Sequence, residues 1–232
     1  MNRVYIKGIA LYPFSSVHQI VEYVNKHPGI LVAVNAEKIV NQTETTRGII
    51  NRNIGYCDGA GPQIALRRIG YKNTTKVAGC ELWLSLIDKF YKQKTFYLVG
   101  SKQPVIDKVV AKLKNQYKGI YIAGYRNGYI NSNTEKHALI DDICTKQPDV
   151  VFVAMGSPKQ ELLMEEMQRY HKAIYMGLGG SFDVYTGNAK RAPQWWINHN
   201  VEWLYRLIHQ PSRIKRQIKL IRFAWWIVIK RL

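Results

Sequence analysis

Apolar residues in the second half of the chain fall into short unbroken runs, separated by longer segments that carry a single apolar stripe. "TFYLVG", "GIYIAGYRNGYI" and "DVVFVAMG" are such runs, and "PVIDKVVAKLKNQY", "EKHALIDDICTK" and "PKQELLMEEMQRYH" follow them in turn. A run of about five to seven apolar residues reads as a strand buried on both faces, and a striped segment of about 12 to 15 as a covering helix. A fourth run, "KAIYMGLGG", opens into "SFDVYTG". This alternation predicts parallel strands covered on both faces.

The first half is less regular. "VYIKGIAL" reads as a strand and "SSVHQIVEYVNKH" as a helix capped by Ser15 or Ser16. "GILVAVNAEKIV" gives a strand near 30–34, a turn at Asn35 and a helix from about Glu37. "YCDGAG" is a turn after a short apolar segment, and "PQIALRRI" reads as a helix with Pro62 in its first turn. In "ELWLSLIDKFYKQ" the apolar positions 82, 83, 86, 87 and 90 make a helical stripe. The expectation is a doubly wound α/β core over 1–190. A helical appendage over 191–232 follows, with Pro211 between two helices and Ile214, Ile218, Ile221, Trp225 and Val228 on one stripe of the second.

Composition narrows the partners. The chain has 232 residues, 47% of them apolar, enough for a sizeable core despite a formal net charge of +18. That charge favours polyanions: nucleic acid, anionic lipid head groups or phosphorylated small molecules. From Lys190 onward there are ten Lys or Arg and one acid, Glu202, together with Trp195, Trp196, Trp203, Trp225 and Trp226. Basic residues mixed with tryptophan suit a membrane surface better than a duplex groove, with stacking on single-stranded RNA as the alternative. Residues 1–15 have no secretory pattern, and the longest apolar candidate, "FAWWIVI", falls well short of the roughly 20 residues of a spanning helix. Cys57, Cys80 and Cys144 are widely spaced and odd in number, as expected of reduced thiols in a cytosolic protein, and no zinc spacing occurs.

Ligands of an open parallel sheet sit at the carboxyl ends of its strands. The segments expected there are "NAEK" with Asn35 and Lys38, "CDGAG" with Asp58 and Gly59, "VGSK" with Gly100, "GYRNGY", "GSPKQE" with Lys159, Gln160 and Glu161, and "GGSFDVYTG" with Gly179, Gly180 and Asp183. Glycines at such positions allow tight turns and let a ligand reach backbone N–H groups. Asp58 has two readings, a general base for a sugar hydroxyl or an Asx-turn and helix cap; spacing alone favours the cap, and the same holds for Asp183. Lys159 meets the positive end of a helix dipole, a cost that a bound anion would offset. Asn-Gly in "GYRNGY" fits a tight hairpin. There is no GxxxxGK[ST] loop, no GxGxxG after the first strand and no Asp-x-Asp pair, so nothing in the sequence demands a metal or other cofactor.

Taken in order, "VNAEK", "DGAG", "RRIG", "VAGCELW", "YLVGSK", "GYRNGY", "VAMGSPKQE", "GLGGSFDVYTGNAKRAP" and "EWLYRLIHQPSRIKRQ" resemble the WecG/TagA/CpsF family of bacterial glycosyltransferases, from about residue 4 to about residue 222. The resemblance implies a Rossmann-like, mostly parallel sheet and inverting, metal-independent transfer. Asp58 is then the base, with Asn35 and Gln160 in the pocket, and Arg206, Arg213 and Arg216 of the tail close over it. Arg191 of "NAKRAP" joins them. "NAEK" and the tail point to the branch that makes enterobacterial common antigen. The donor is then UDP-N-acetyl-D-mannosaminuronic acid and the acceptor undecaprenyl-diphosphate-N-acetylglucosamine, at the cytoplasmic face of the plasma membrane. An anionic membrane surface is the expected macromolecular partner, nucleic acid is not, and self-association stays open. Lys38 and Lys159 are the candidates for the donor carboxylate. After "DGAG" the chain departs from the family's aliphatic pattern with Pro62 and Gln63. The rival readings are transfer of neutral N-acetylmannosamine, as in teichoic acid synthesis, and a non-enzymatic polyanion- or membrane-binding protein.

Overall fold

The computed structural model describes residues 1–190 and, beyond them, 192–193, 195–196, 199, 202–209, 222–227 and 229. The elements are β1 (Val4–Ile6), β2 (Ile9–Leu11), α1 (Val17–Lys26), β3 (Ile30–Val34), α2 (Ala36–Val40), α3 (Glu44–Arg52), β4 (Ile54–Cys57), α4 (Ala60–Arg68) and α5 (Gly79–Phe90). Next come β5 (Thr95–Gly100), α6 (Gln103–Gln116), β6 (Tyr121–Arg126), α7 (Asn133–Lys146), β7 (Val150–Ala154), α8 (Lys159–Tyr170), β8 (Ile174–Gly177), α9 (Ser181–Tyr185) and α10 (Glu202–His209). Strands β4-β3-β8-β7-β5-β6 form a six-stranded parallel sheet in that order, flanked by helices. This is the α/β, Rossmann-like architecture expected from the alternating runs.

Two compact units divide the chain. The first comprises Met1–Ser16, Ala33–Ala78 and the described residues from Lys190 on; the second comprises Val17–Val32 and Gly79–Ala189. In the second, β7 is buried along its whole length between β5 and β8, which is why its sequence is an unbroken apolar run. Edge strand β6 has no fully buried position, Tyr121 and Tyr125 being exposed and the rest half-buried. Trp83 of α5 is fully buried and meets Phe152, Phe182 and Tyr185 edge-on, with ring centroids 5.6, 5.6 and 5.1 Å away. That aromatic knot joins β7, α5 and α9.

In the first unit, "VYIKGIAL" forms a hairpin of two strands instead of one strand. Lys7 and Gly8 both have positive φ, 49° and 77°, which is the backbone of a tight two-residue reversal. Lys-Gly is a weaker signal for it than Asn-Gly, so the apolar pattern masks the break. Tyr12 N donates to Gly55 O at 2.9 Å, and a Cβ on Gly55 would lie 2.5 Å from Ala10 O, so the end of the hairpin lies directly on β4. Helix α3 was not foreseen; its start is marked by a capping box between Thr43 and Thr46, with threonine where the usual signature has an acid or amide. Conversely, "GYRNGY" makes no hairpin: β6 ends at Arg126, and Gly128 N turns back to Ser101 O at 2.9 Å.

Burial gives this fold a defined weakness at high pH. The Cys57 thiol is pushed up to about 12, first by burial and then by the charge of Asp58. Burial likewise pushes the Tyr185 phenol up to about 12 and raises Tyr97 and Tyr175, Tyr97 also because it donates to Asp142 at 2.6 Å. Between the ordinary and the raised values the unfolded chain has released these protons while the folded one retains them, so rising pH favours unfolding. Stability to urea is expected to fall from about pH 9 upward, Cys57 alone contributing about 1.4 kcal/mol per pH unit. Cys57→Ala should flatten that slope in urea titrations run across the range; an unchanged slope would refute the assignment to this thiol.

Candidate functional site

Two groups of loops follow the carboxyl ends of the strands, one in each unit. In the first unit β3 ends at Val34, and Asn35 caps α2, its Oδ1 accepting from Lys38 N at 2.9 Å. Lys38 folds back so that Nζ donates to Ala33 O at 2.8 Å. The side chain sits over its own strand end.

Asp58 follows β4 directly. Its N–H donates to Val34 O at 2.9 Å, and Cys57 O accepts from Val77 N at 2.8 Å, so the backbone on either side of the acid is tied to a neighbouring segment. Gly59, not Asp58, is the N-cap residue of α4; it has φ 96° and no side-chain cap bond is made there. The half-buried carboxylate thus stands one residue ahead of the cap position. Gly61, the second glycine of "DGAG", answers to crowding: a Cβ there would lie 2.9 Å from Ala36 Cβ and 3.1 Å from Phe223 Cε1. Pro62 is buried in the first turn, and Gln63 has a defined role, since Gln63 Nε2 and Arg67 Nε both donate to Thr74 O at 3.0 Å. The departure at Gln63 therefore secures the segment that runs to Val77, beside the Asp58 strand end.

In the second unit β5 ends in two residues of positive φ, Gly100 (133°) and Ser101 (57°). A Cβ on Gly100 would lie 2.3 Å from Ala154 O, so glycine is required both by conformation and by the close approach of β7. Ser101 is a non-glycine residue in the left-handed region, and its Oγ donates to Asp183 Oδ2 at 3.0 Å. Asp183, in the first turn of α9, thus positions Ser101, a partner the sequence reading missed.

The polar trio after Pro158 divides by burial. Lys159 is exposed, while Gln160 and Glu161 are each only 4% exposed. Gln160 Oε1 accepts from Gly179 N at 2.9 Å and from Gly156 N at 3.2 Å, and its Nε2 donates to Glu161 Oε1 at 3.2 Å. One amide therefore fastens the loop after β7 to the loop after β8, and Glu161 sets which end of that amide faces the loops. Gly156 and Gly179 both take positive φ, and a Cβ on Gly177 would lie 2.4 Å from Gln160 Nε2. Gly180 is the N-cap residue of α9. Arg191, Arg213 and Arg216 lie outside the described residues; Arg206 falls on α10 with its side chain outside them.

Among the described residues no group of three His, Cys, Asp or Glu is arranged to hold a metal ion, and no helix is long and apolar enough to cross a membrane.

Replacing Gln160 with Ala is expected to strand two loop N–H groups and open a cavity, at a cost of about 2–4 kcal/mol. Thermal melting should show this as a fall of roughly 5–10 °C. Gln160→Glu should set a second carboxylate against Glu161, giving a deficit against wild type that shrinks as pH falls into the carboxylate range. A Gln160→Ala protein as stable as wild type would show that the amide does not bind these loops together.

A family model described as the glycosyl transferase WecG/TagA/CpsF family matches residues 5–232. With a parallel α/β sheet, glycine-rich strand ends and an acid fixed after β4, the chain belongs to the WecG/TagA/CpsF family of glycosyl transferases.

Proposed function

We propose that this transferase moves N-acetyl-D-mannosaminuronic acid from UDP to undecaprenyl-diphosphate-linked N-acetylglucosamine, with inversion and with no metal. The observation that carries the reading is Asp58, at the carboxyl end of β4, with its backbone tied to Val34 and its neighbour's to Val77. Asp58 accepts the proton of the acceptor's O4 hydroxyl as that oxygen forms a bond to the anomeric carbon. The bond from that carbon to the UDP oxygen breaks, and the electron pair leaves with UDP. Cations and backbone N–H groups stabilise the departing diphosphate, each well-placed donor supplying about 3 kcal/mol. Arg191, Arg206, Arg213 and Arg216, the glycine loops at Gly59, Gly100 and Gly180, and exposed Lys159 are the candidates for this work, the Gly179 N–H being already donated to Gln160 Oε1.

Two assignments change in the light of the geometry. Gln160 and Glu161 act by holding the loops after β7 and β8. Asn35 and Lys38 are engaged in forming the turn after β3. Support for the uronic acid over neutral N-acetylmannosamine comes from the "NAEK" segment and from the basic character of the chain. The acceptor's lipid places the reaction at the cytoplasmic face of the plasma membrane, where the protein acts peripherally.

Asp58→Asn is expected to lower turnover by about 10²- to 10⁴-fold with little change in donor affinity. Transfer assays with a short-chain diphosphate acceptor and calorimetry with donor measure the two quantities. A non-enzymatic polyanion-binding protein would be indifferent to this change, and normal turnover by the folded variant would refute the proposed chemistry. Offering UDP-N-acetylmannosamine beside the uronic acid decides the donor: turnover of the neutral sugar alone overturns that part of the reading.

A further inference from the structure

The peptide group that precedes the Asp58 Cα is held on both sides. Its N–H, that of Asp58, donates to Val34 O at 2.9 Å, and its C=O, that of Cys57, accepts from Val77 N at 2.8 Å. A peptide unit is planar, so fixing both polar ends fixes its rotation, and with it the direction in which the chain at Asp58 leaves the sheet. Val34 ends β3, a strand of that sheet. Val77 has no such footing, since it lies in the connection between α4 and α5, outside any helix or strand. Whatever holds Val77 therefore helps to hold the acid.

That connection is gripped from α4. The helix closes with Tyr71 N on Leu66 O at 3.0 Å and Gly70 N on Arg67 O at 3.2 Å, and a φ of 108° at Gly70 reverses the chain. The reversal brings Thr74 back beside the helix, where Gln63 Nε2 and Arg67 Nε both donate to Thr74 O at 3.0 Å. Thr74 is 1% exposed and its Oγ1 has no hydrogen-bond partner among the described residues, so α4 holds it through the carbonyl and not through the hydroxyl. Thr75 N then donates to Phe14 O at 2.9 Å, and two residues later Val77 reaches Cys57 O. Asp58 leads into α4, and α4 returns through Gln63, Arg67, Thr74 and Val77 to the peptide of Asp58. The ring is closed, and all of it lies in the first unit. Gln63 is half-buried and Arg67 exposed, so water competes less for the amide than for the guanidinium.

We propose that Gln63 is a positioning residue for the transfer reaction: through Thr74 and Val77 it holds the peptide that aims the Asp58 carboxylate, with Arg67 as the second donor. The proposal rests on the reading of Asp58 as the base. It adds a residue that acts through that acid, at a position where the chain departs from the aliphatic pattern of the family. An aliphatic side chain at 63 has nothing to donate, and Thr74 O would then depend on exposed Arg67 alone. Misplacing a reacting group by about 1 Å costs up to about 10²-fold in rate, so a loosened ring is expected to show in turnover.

Gln63→Met keeps the length of the side chain and removes the donor. Transfer to a short-chain diphosphate acceptor should show kcat lowered about 10-fold, with calorimetric donor affinity within about twofold of wild type. Arg67→Met should lower kcat about threefold, and the double variant by more than the product of the two, because only then does Thr74 O lose both donors from α4. In an Asp58→Asn background, Gln63→Met should change the residual turnover by less than about twofold, since a residue acting through the carboxylate has nothing left to position. A purely structural role would lower the melting temperature of Gln63→Met and leave its kcat and donor affinity at wild-type values, and that result would overturn the proposal. So would an equal loss of turnover in both backgrounds, or a loss confined to donor affinity; either one leaves the reading of Asp58 as the base in place. Normal turnover by folded Asp58→Asn would overturn that reading, and this proposal with it.

Discussion

In a parallel sheet covered on both faces, the strands end among other protein groups, and a backbone N–H left unpaired there costs about 1–3 kcal/mol. Here four of the sheet's six strand ends meet that demand with a nearby acceptor. Asp58 N finds Val34 O, Ser101 N finds Ala154 O at 3.0 Å, and the N–H groups of Gly156 and Gly179 converge on Gln160 Oε1. The last solution has the widest reach, because a side-chain amide lies between two loops and the position of each depends on the other. Glu161, buried beside it, accepts from the amide nitrogen and so orients the amide between the two loops.

This arrangement bears directly on transfer chemistry. A departing diphosphate is stabilised best by donors already in place, since donors that must reorganise spend part of what they contribute. Glycine at 100, 156 and 179 takes the positive φ these turns require, and the bonds to Ala154 and Gln160 hold them in a defined shape. Asp58 meets a related requirement. Cap duty at the start of α4 falls to Gly59, whose positive φ turns the chain, and the acid one residue earlier has its backbone held by a neighbouring strand.

Basic residues and a tryptophan also meet within the first unit. Lys7 and Arg222 each lie 5.0 Å from the Trp226 ring centroid, and Phe223 packs toward Gly61. Positions 7, 61 and 226 lie far apart in the chain, yet they share one compact unit. The glycine of "DGAG" that looked like part of a ligand loop is therefore also the seat for the C-terminal turn, and the two roles are compatible because both ask for the absence of a side chain.

The strands of the second unit were legible because burial on both faces leaves an unbroken apolar run, and their helices because a striped face repeats every three or four residues. The acid after β4 and the glycine loops were legible for a similar reason, since strand ends announce themselves where an apolar run meets glycine. The hairpin at Lys7–Gly8, the start of α3 at Thr43 and the absence of a hairpin at Asn127–Gly128 were not, because each depends on a backbone angle or a partner that weak local signals leave undecided. Sequence by itself determined the class of fold, the order of its elements and the identity of the polar residues at the strand ends. Tertiary structure alone decided that Gln160 faces two loops, that Asp183 holds Ser101, that Phe223 turns inward while Trp225 projects, and that Lys7 meets Trp226. Those are contacts between residues distant in the chain, and local pattern carries no record of the partner a side chain will meet after folding.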